Sequence, residues 1–365
     1  MTERKKRSVY WDNIKGILIL LVVFGHMLYG LRSNDLVNSI VLGIYYFHMP
    51  VFVFVSGYFS KSSRASEPRS IMKLIVVYII SMLPFVIRVL ARGGVPAILS
   101  PYYSSWYVLT LIIWRLITPY LARYKHIFPI VIVFVFLVGY IPELSNMQVL
   151  DIRRVIGFYP YFLAGYFMSR ETAEEKIRSG SEGKLLLKGS LCAILALVIG
   201  VVSFTHYDIT MRVLIPHAYR EMSLTEPFIR LLVMTVATLC ILAFMMLSPD
   251  KRIPFINMAG RNSLSIYVFH RIFAFWYYKS EYVIDLRIRY QILGALVLTV
   301  IISAVFGSDL FSNWFDKFVR GCGDALCPHG SAASDVSVGH RAVAYILLIF
   351  FLTAPLTAKV IEMFN

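Results

Sequence analysis

Long apolar runs recur along this chain, separated by short clusters of charged and turn-forming residues. A bilayer-crossing helix needs about 20 mostly apolar residues. Runs that meet the requirement lie at roughly 13–31, 36–59, 71–91, 103–122, 127–142, 153–169, 185–205, 227–248, 263–279, 290–308 and 342–363. The sixth and ninth are short and interrupted by charges. The pattern therefore predicts an all-α, polytopic integral membrane bundle of about ten to eleven transmembrane helices. Residues 1–308 read as one membrane domain, and 309–365 as a polar loop plus a final span of the same unit. No internal repeat or low-complexity tract interrupts this reading.

Composition agrees. Of the 365 residues, 58% are hydrophobic, above the roughly half found in soluble domains. The basic start "MTERKKR" leads into a segment with no small-residue cleavage site, so the first span is expected to be retained. A net charge of +15 raises the question of nucleic acid. Lys and Arg concentrated in cytoplasmic loops account for it without such a partner. Arg4 to Arg7 place the N-terminus in the cytoplasm. Lys61, Arg64, Arg69 and Lys73 then fall inside, as do Arg123, Lys125, the stretch from Arg170 to Lys188, and Lys251, Arg252 and Arg261. The loops "RSND" and "GGVPAILSPYY" are poorer in charge, and a loop with Arg212, Arg220 and Arg230 departs mildly from the rule. The expected location is the plasma (inner) membrane. Trp106 and Tyr107 read as part of an interfacial aromatic belt. Cys322, Cys327, His329 and His340 match zinc-ligand spacing poorly, and no metal site is expected.

Chemistry enters with "WDNIKGILILLVVFGHML", residues 11–28. At 100° per residue Asp12, Lys15 and His26 fall within an arc of about 60°, with His26 about 21 Å along the axis from Asp12. A polar group this deep must be paired or line a wet cavity. One reading is packing: a hydrogen-bonded histidine, and an interfacial Asp12–Lys15 ion pair. The other is function, favoured because His48, on the next span, lies at comparable depth. The two histidines then form a pair or relay. Pro50 and Gly57 are expected to break the regularity of the second helix and free backbone groups for a ligand. In "GRNSLSIYVFHR", Ser263, Tyr267 and His270 share one helical face, with Arg261 at its cytoplasmic end.

Together these stretches resemble the membrane acyltransferase-3 family, in particular its fucose 4-O-acetylase-like branch. The opening pattern reads Asp12, Lys15, Gly16, Gly25, His26. It is followed by "FHMPVFVFVSGYF" with Ser56, "FYPYFLAGYFM" and "GRNSLSIYVFH". Order and spacing match from residue 7 to about 275; the tail from 309 does not.

The resemblance implies an integral enzyme transferring an acyl group, usually acetyl from acetyl-CoA, to a carbohydrate hydroxyl. Acetyl-CoA would be a substrate, with no tightly bound cofactor; the partners are acetyl-CoA, a carbohydrate acceptor and the bilayer. His26 carries over as the catalytic histidine, with His48 as its partner. Lys15, Arg69, Lys73 and Arg261 become candidate contacts to the CoA phosphates. Asp12, Ser56, Ser263, Tyr267 and His270 are further motif positions. A neutral imidazole activates a sugar hydroxyl as a base, and an acetyl-histidine intermediate is equally allowed. The rival function is a transporter of a small polar or acidic solute, since intramembrane histidines and broken helices serve transporters too.

Overall fold

The computed structural model describes residues 7–147, 149–169, 171–172, 189–190, 192–193, 196, 200, 218–219 and 225–326. Among these the regular structure is all helical. The helices are α1 (Val9–Leu28), α2 (Asp35–Phe59), α3 (Pro68–Ala91), α4 (Trp106–Leu121), α5 (Ile127–Leu137), α6 (Pro142–Asn146) and α7 (Ile152–Phe167). They continue with α8 (Thr225–Leu247), α9 (Pro254–Arg261), α10 (Ser263–Lys279), α11 (Glu281–Ile284), α12 (Ile288–Phe306) and α13 (Asp309–Leu326).

Among the described residues, five stretches are long and apolar enough to cross a bilayer: Val9–Leu31, Asp35–Phe59, Pro68–Ala91, Thr225–Leu247 and Ile288–Phe306. Ile79, Leu83, Ile87 and Leu90 of α3 and Leu293, Leu296, Val297 and Val300 of α12 are exposed. Water would penalise such apolar stripes, whereas acyl chains do not. The fourth, fifth, sixth and ninth expected spans fold as α4, α5, α7 and α10, of 16, 11, 16 and 17 residues. Trp106 through Ile113 are all buried, so protein surrounds the first half of α4. The expected span 342–363, Arg212, Arg220, Cys327, His329 and His340 lie outside the described residues, as do the expected span 185–205 and the stretch from Arg170 to Lys188 apart from positions 171–172, 189–190, 192–193, 196 and 200.

Four expectations change. Trp106 and Tyr107 are buried rather than displayed as an interfacial belt; Trp106 stacks on Phe158 at 5.3 Å. Arg230 sits inside α8, buried, and donates to the Val135 carbonyl at 2.6 Å. Residues from 309 begin as helix α13, with the side chains of Phe315 and Val319 buried one turn apart. The second span does not break: α2 runs through Pro50. Pro50 removes only the N–H that would bond to the carbonyl four residues earlier. Gly57 serves close packing, because a Cβ there would lie 2.0 Å from the Phe162 carbonyl oxygen.

The described chain divides into two compact units. The first takes α1, α2 as far as Phe52, α8 from Val236, α9 to α12, and α13 as far as Asp316. The second takes α2 from Val53, α3 to α7, the start of α8 and the end of α13. In the first, α1 is central and packs on α9, α10 and α12. In the second, α4 packs on α3 and α7, and α5 on α7.

Candidate active site

The first unit carries polar side chains at two levels of α1. The lower level is set by a glycine contact. A Cβ on Gly16 would meet the Ile256 carbonyl oxygen at 2.0 Å, and one on Gly260 would meet that of Asp12 at 1.7 Å. Only glycine at both positions allows the α1 and α9 backbones to touch. Asp12, 3% exposed, is thereby held beside Arg261. Lys15 Nζ and Arg7 Nε each lie 2.8 Å from one of its carboxylate oxygens, and Arg7 also donates to the Arg261 carbonyl at 3.0 Å. Arg261 pairs with Asp309 at 3.0 Å. The Asn262 amide, at the one-residue break between α9 and α10, donates to Asp309 Oδ1 at 2.8 Å and to the Gly307 carbonyl at 2.7 Å. The Asn13 amide donates to the carbonyls of Pro249 and Lys251 at 2.8 and 2.9 Å, which holds the "SPDKR" loop against the same end of α1. Cations outnumber carboxylates in the segments that meet here: Arg7, Lys15, Lys251, Arg252 and Arg261 against Asp12, Asp250 and Asp309. A polyanion would find charge-assisted donors here.

The upper level holds the histidines. His26 Nδ1 lies 2.8 Å from His270 Nε2, with the rings within 9° of parallel. The expected pairing of His26 with His48 is thus replaced by a pairing across α1 and α10. The carbonyls around His270 fix its tautomer. Its Nδ1 is 2.7 Å from the Tyr267 carbonyl oxygen and 3.2 Å from that of Ile266. Carbonyl oxygens only accept, so Nδ1 carries the hydrogen and Nε2 of the neutral ring accepts. His26 must then donate from Nδ1, which leaves its Nε2 with a free lone pair. His270 is fully buried and His26 only partly so. Of the pair, His26 is the ring that can meet a substrate.

His48 is buried and donates from Nδ1 to its own helix, to the Ile44 carbonyl at 2.8 Å. Tyr45 lies edge-on to both rings, with centroids 5.8 Å from His26 and 4.9 Å from His48. The buried Arg271 places its charge within electrostatic range of His26, His270 and Tyr45.

The other expected positions fall as follows. Tyr267 is buried with its ring 5.9 Å from His270. Ser263 opens α10 half-buried, whereas the buried hydroxyl belongs to Ser265, 2.8 and 2.7 Å from the carbonyls of Asn262 and Phe306. Ser56, Arg69 and Lys73 belong to the second unit. There Ser56 bonds the Tyr107 hydroxyl at 2.5 Å, and Arg69 faces Asp324 at 3.7 Å with both side chains exposed. Lys73 lies along Gly323.

Sequence reasoning passed over Tyr45, Arg271, Arg7 and Asn262. An arginine next to a histidine inside an apolar helix is itself a signal of function, so Arg271 was open to detection. The bridging role of Arg7 was not, because it depends on the α1–α9 contact.

Bilayer-length apolar helices in a protein whose described regular structure is all helical, with a histidine pair and a cationic end on one helix, define an integral membrane protein. Residues 8–308 match the acyltransferase-3 family, described as an acyltransferase domain. The chain belongs to that family. It is also similar to nodulation protein NolL of Sinorhizobium fredii (strain NBRC 101917 / NGR234), 39% identical over 83 residues. That stretch is 21% of this chain, and the match spans 23% of the length of NolL. No solved structure matches.

Proposed function

We propose that this protein is an integral membrane acyltransferase that moves acetyl from acetyl-CoA to a carbohydrate hydroxyl of a cell-surface or exported glycan, with His26 Nε2 as the general base. The observation that carries the reading is the tautomer chain from the Tyr267 carbonyl through His270 to His26. In the reaction His26 Nε2 takes the hydroxyl proton as the oxygen attacks the thioester carbonyl. The His26 imidazolium is then held by its Nδ1–H on His270 Nε2. The tetrahedral oxyanion collapses, the C–S bond breaks, and the CoA thiolate leaves and takes the proton back from His26. Arg271 supplies positive charge for the oxyanion, which is the kind of contribution a fixed cation makes in a site shielded from water.

Lys15, Arg261 and Arg7 hold the CoA phosphates at the other end of α1. From Lys15 to His26 is about 16 Å along the helix, a distance the extended pantetheine arm covers. The N-terminus then faces the cytoplasm, where acetyl-CoA is made, in the plasma (inner) membrane. His48 positions Tyr45 against His26 and touches no reacting atom. The test is transfer of radiolabelled acetyl from acetyl-CoA to a glycan fraction by the full chain reconstituted in vesicles. Labelled glycan supports the reading, and label appearing only as free acetate contradicts it.

A further inference from the structure

The second unit contains a cavity of about 400 Å³ lined by Ala97, Ser100, Tyr102, Tyr103, Asp151, Arg153 and Arg154, with Pro101 on its wall. Its size falls within the about 300–1,000 Å³ of small-ligand sites. It lies at the end of α3 remote from Pro68, where the 92–105 connection meets the start of α7. In the proposed orientation that end faces away from the cytoplasm. None of its residues belongs to the histidine site or to the cationic end of α1.

Its charge is built rather than incidental. Asp151 is 3% exposed, and each of its oxygens faces one guanidinium, from Arg153 at 3.4 Å and from Arg154. Arg154 also lies over the Trp106 ring at 5.1 Å. Two arginines against one carboxylate leave the cavity one positive charge in excess. A guanidinium has five N–H donors, and the Asp151 contacts account for one on each arginine. The remainder suit a planar anion held bidentately.

The aromatic wall is equally defined. Tyr102 stacks on Phe85 at 5.4 Å, and Tyr103 lies 4.8 Å from the same ring. Tyr103 is 46% exposed, so it offers a ring to a ligand. Among the described residues, the non-glycine residues with positive φ are Tyr103 (48°), Leu150 (58°) and Asp151 (49°). Tyr103 and Asp151 line this cavity, and Leu150 directly precedes Asp151. Side chains rarely adopt that region, and such strain gathers where a side chain must be aimed for a ligand. A backbone bond from the Leu150 N–H to the Leu99 carbonyl at 2.7 Å ties the two strained segments together.

From this arrangement we infer that the cavity binds a carboxylate-bearing sugar residue of the acceptor, the carboxylate on Arg153 and Arg154 and the sugar ring against Tyr103. An anionic lipid headgroup offers a related charge. The Tyr102 and Tyr103 wall beside Ser100 suits a saccharide, whose rings carry both apolar faces and hydroxyls. The inference rests on the acceptor being a glycan, and its test is binding without any acyl donor.

The experiment uses the full chain in nanodiscs and oligosaccharides bearing glucuronate, galacturonate or sialate, each beside its carboxyl-reduced counterpart. Calorimetry should show at least one acid form binding about tenfold or more tightly than its reduced counterpart. Arg153→Gln should remove that preference while acetyl-CoA binding stays unchanged. Arg153 is chosen because Arg154 also packs on Trp106. Tyr103→Ala should weaken the acid and reduced forms alike. Absence of a carboxylate preference in every pair overturns the inference, as does a preference that survives Arg153→Gln. So does displacement of the sugar by phosphatidylglycerol in the nanodisc, since the headgroup would then be the occupant. Failure of the acetyl-transfer reading looks different: no acetyl reaches any glycan, whatever the binding data show.

Discussion

His26 Nδ1 and His270 Nε2 stand 2.8 Å apart, and the two carbonyls behind His270 decide which ring donates. The lone pair is thereby delivered to His26 Nε2. If His270 acts by orienting His26, a side chain that still accepts from His26 Nδ1 should rescue part of its role. His270→Gln is expected to keep more transfer activity than His270→Ala, which should lose about 10²-fold or more, within the range for general base catalysis. The loss should appear in kcat with KM for acetyl-CoA nearly unchanged. Equal activity of the two variants would assign His270 to packing alone.

At the cationic end, Lys15→Ala and Arg261→Ala should each weaken acetyl-CoA binding. Charge-assisted contacts to phosphate are the stronger polar interactions, so a loss of about tenfold per variant is expected in calorimetry. Lys15 also pairs with the buried Asp12 at 2.8 Å. A thermal melt must therefore accompany the measurement. A lower Tm with unchanged CoA affinity would make Lys15 a structural partner of Asp12 only.

The Gly16–Gly260 contact has a steric consequence. Gly260→Ala places a Cβ 1.7 Å from the Asp12 carbonyl oxygen, and backbone cannot move aside as a side chain can. Overpacking of this kind costs about 1–3 kcal/mol. Gly321→Ala is the control: it meets nothing within 4 Å and lies within a helix. It should leave Tm unchanged or raise it. Equal Tm values for the two variants in detergent would refute the close α1–α9 approach.

The Asn262 amide holds the Asp309 carboxyl below the usual carboxylate range against a small opposing effect of burial, with Arg261 and Arg252 contributing less. A depressed folded value means the contribution to stability is complete above the unfolded carboxylate value of about 3.9. It fades as pH falls through the folded value. Asp309 is 58% exposed, so the contribution should stay under about 1 kcal/mol. The Tm gap between wild type and Asp309→Asn is expected at pH 7 and should close as pH falls below the folded value. A gap that widens on acidification has the wrong sign for this account.

Orientation is tested by labelling. Ser62 is exposed between α2 and α3, in the basic connection assigned to the cytoplasm. Ser62→Cys should resist an impermeant maleimide in intact cells and react after permeabilisation. Labelling of intact cells would reverse the topology.

Much of this was legible in the sequence, for reasons that differ by element. Helices such as α1, α2 and α12 announce themselves, because a bilayer demands apolar runs of a set length. His26 and Lys15 stood out because polar groups on an apolar stripe need a reason. The choice of His270 over His48 as partner was not legible, since it depends on which helix lies against α1. Pro50 misled for a related reason: a proline removes one hydrogen bond, and the helix around it continued. The Asp151 cavity gave no signal, because it is made by positive-φ residues in two connections distant in sequence.

The most direct test of the central claim is the initial rate of labelled acetyl transfer to glycan by wild type, His26→Ala and His48→Ala, each reconstituted and shown by thermal melt to be folded. The account predicts that His26→Ala loses at least about 10²-fold. It predicts that His48→Ala, which removes a ring bonded to its own helix, loses less. An active His26→Ala beside an inactive His48→Ala would contradict it and move the base to α2.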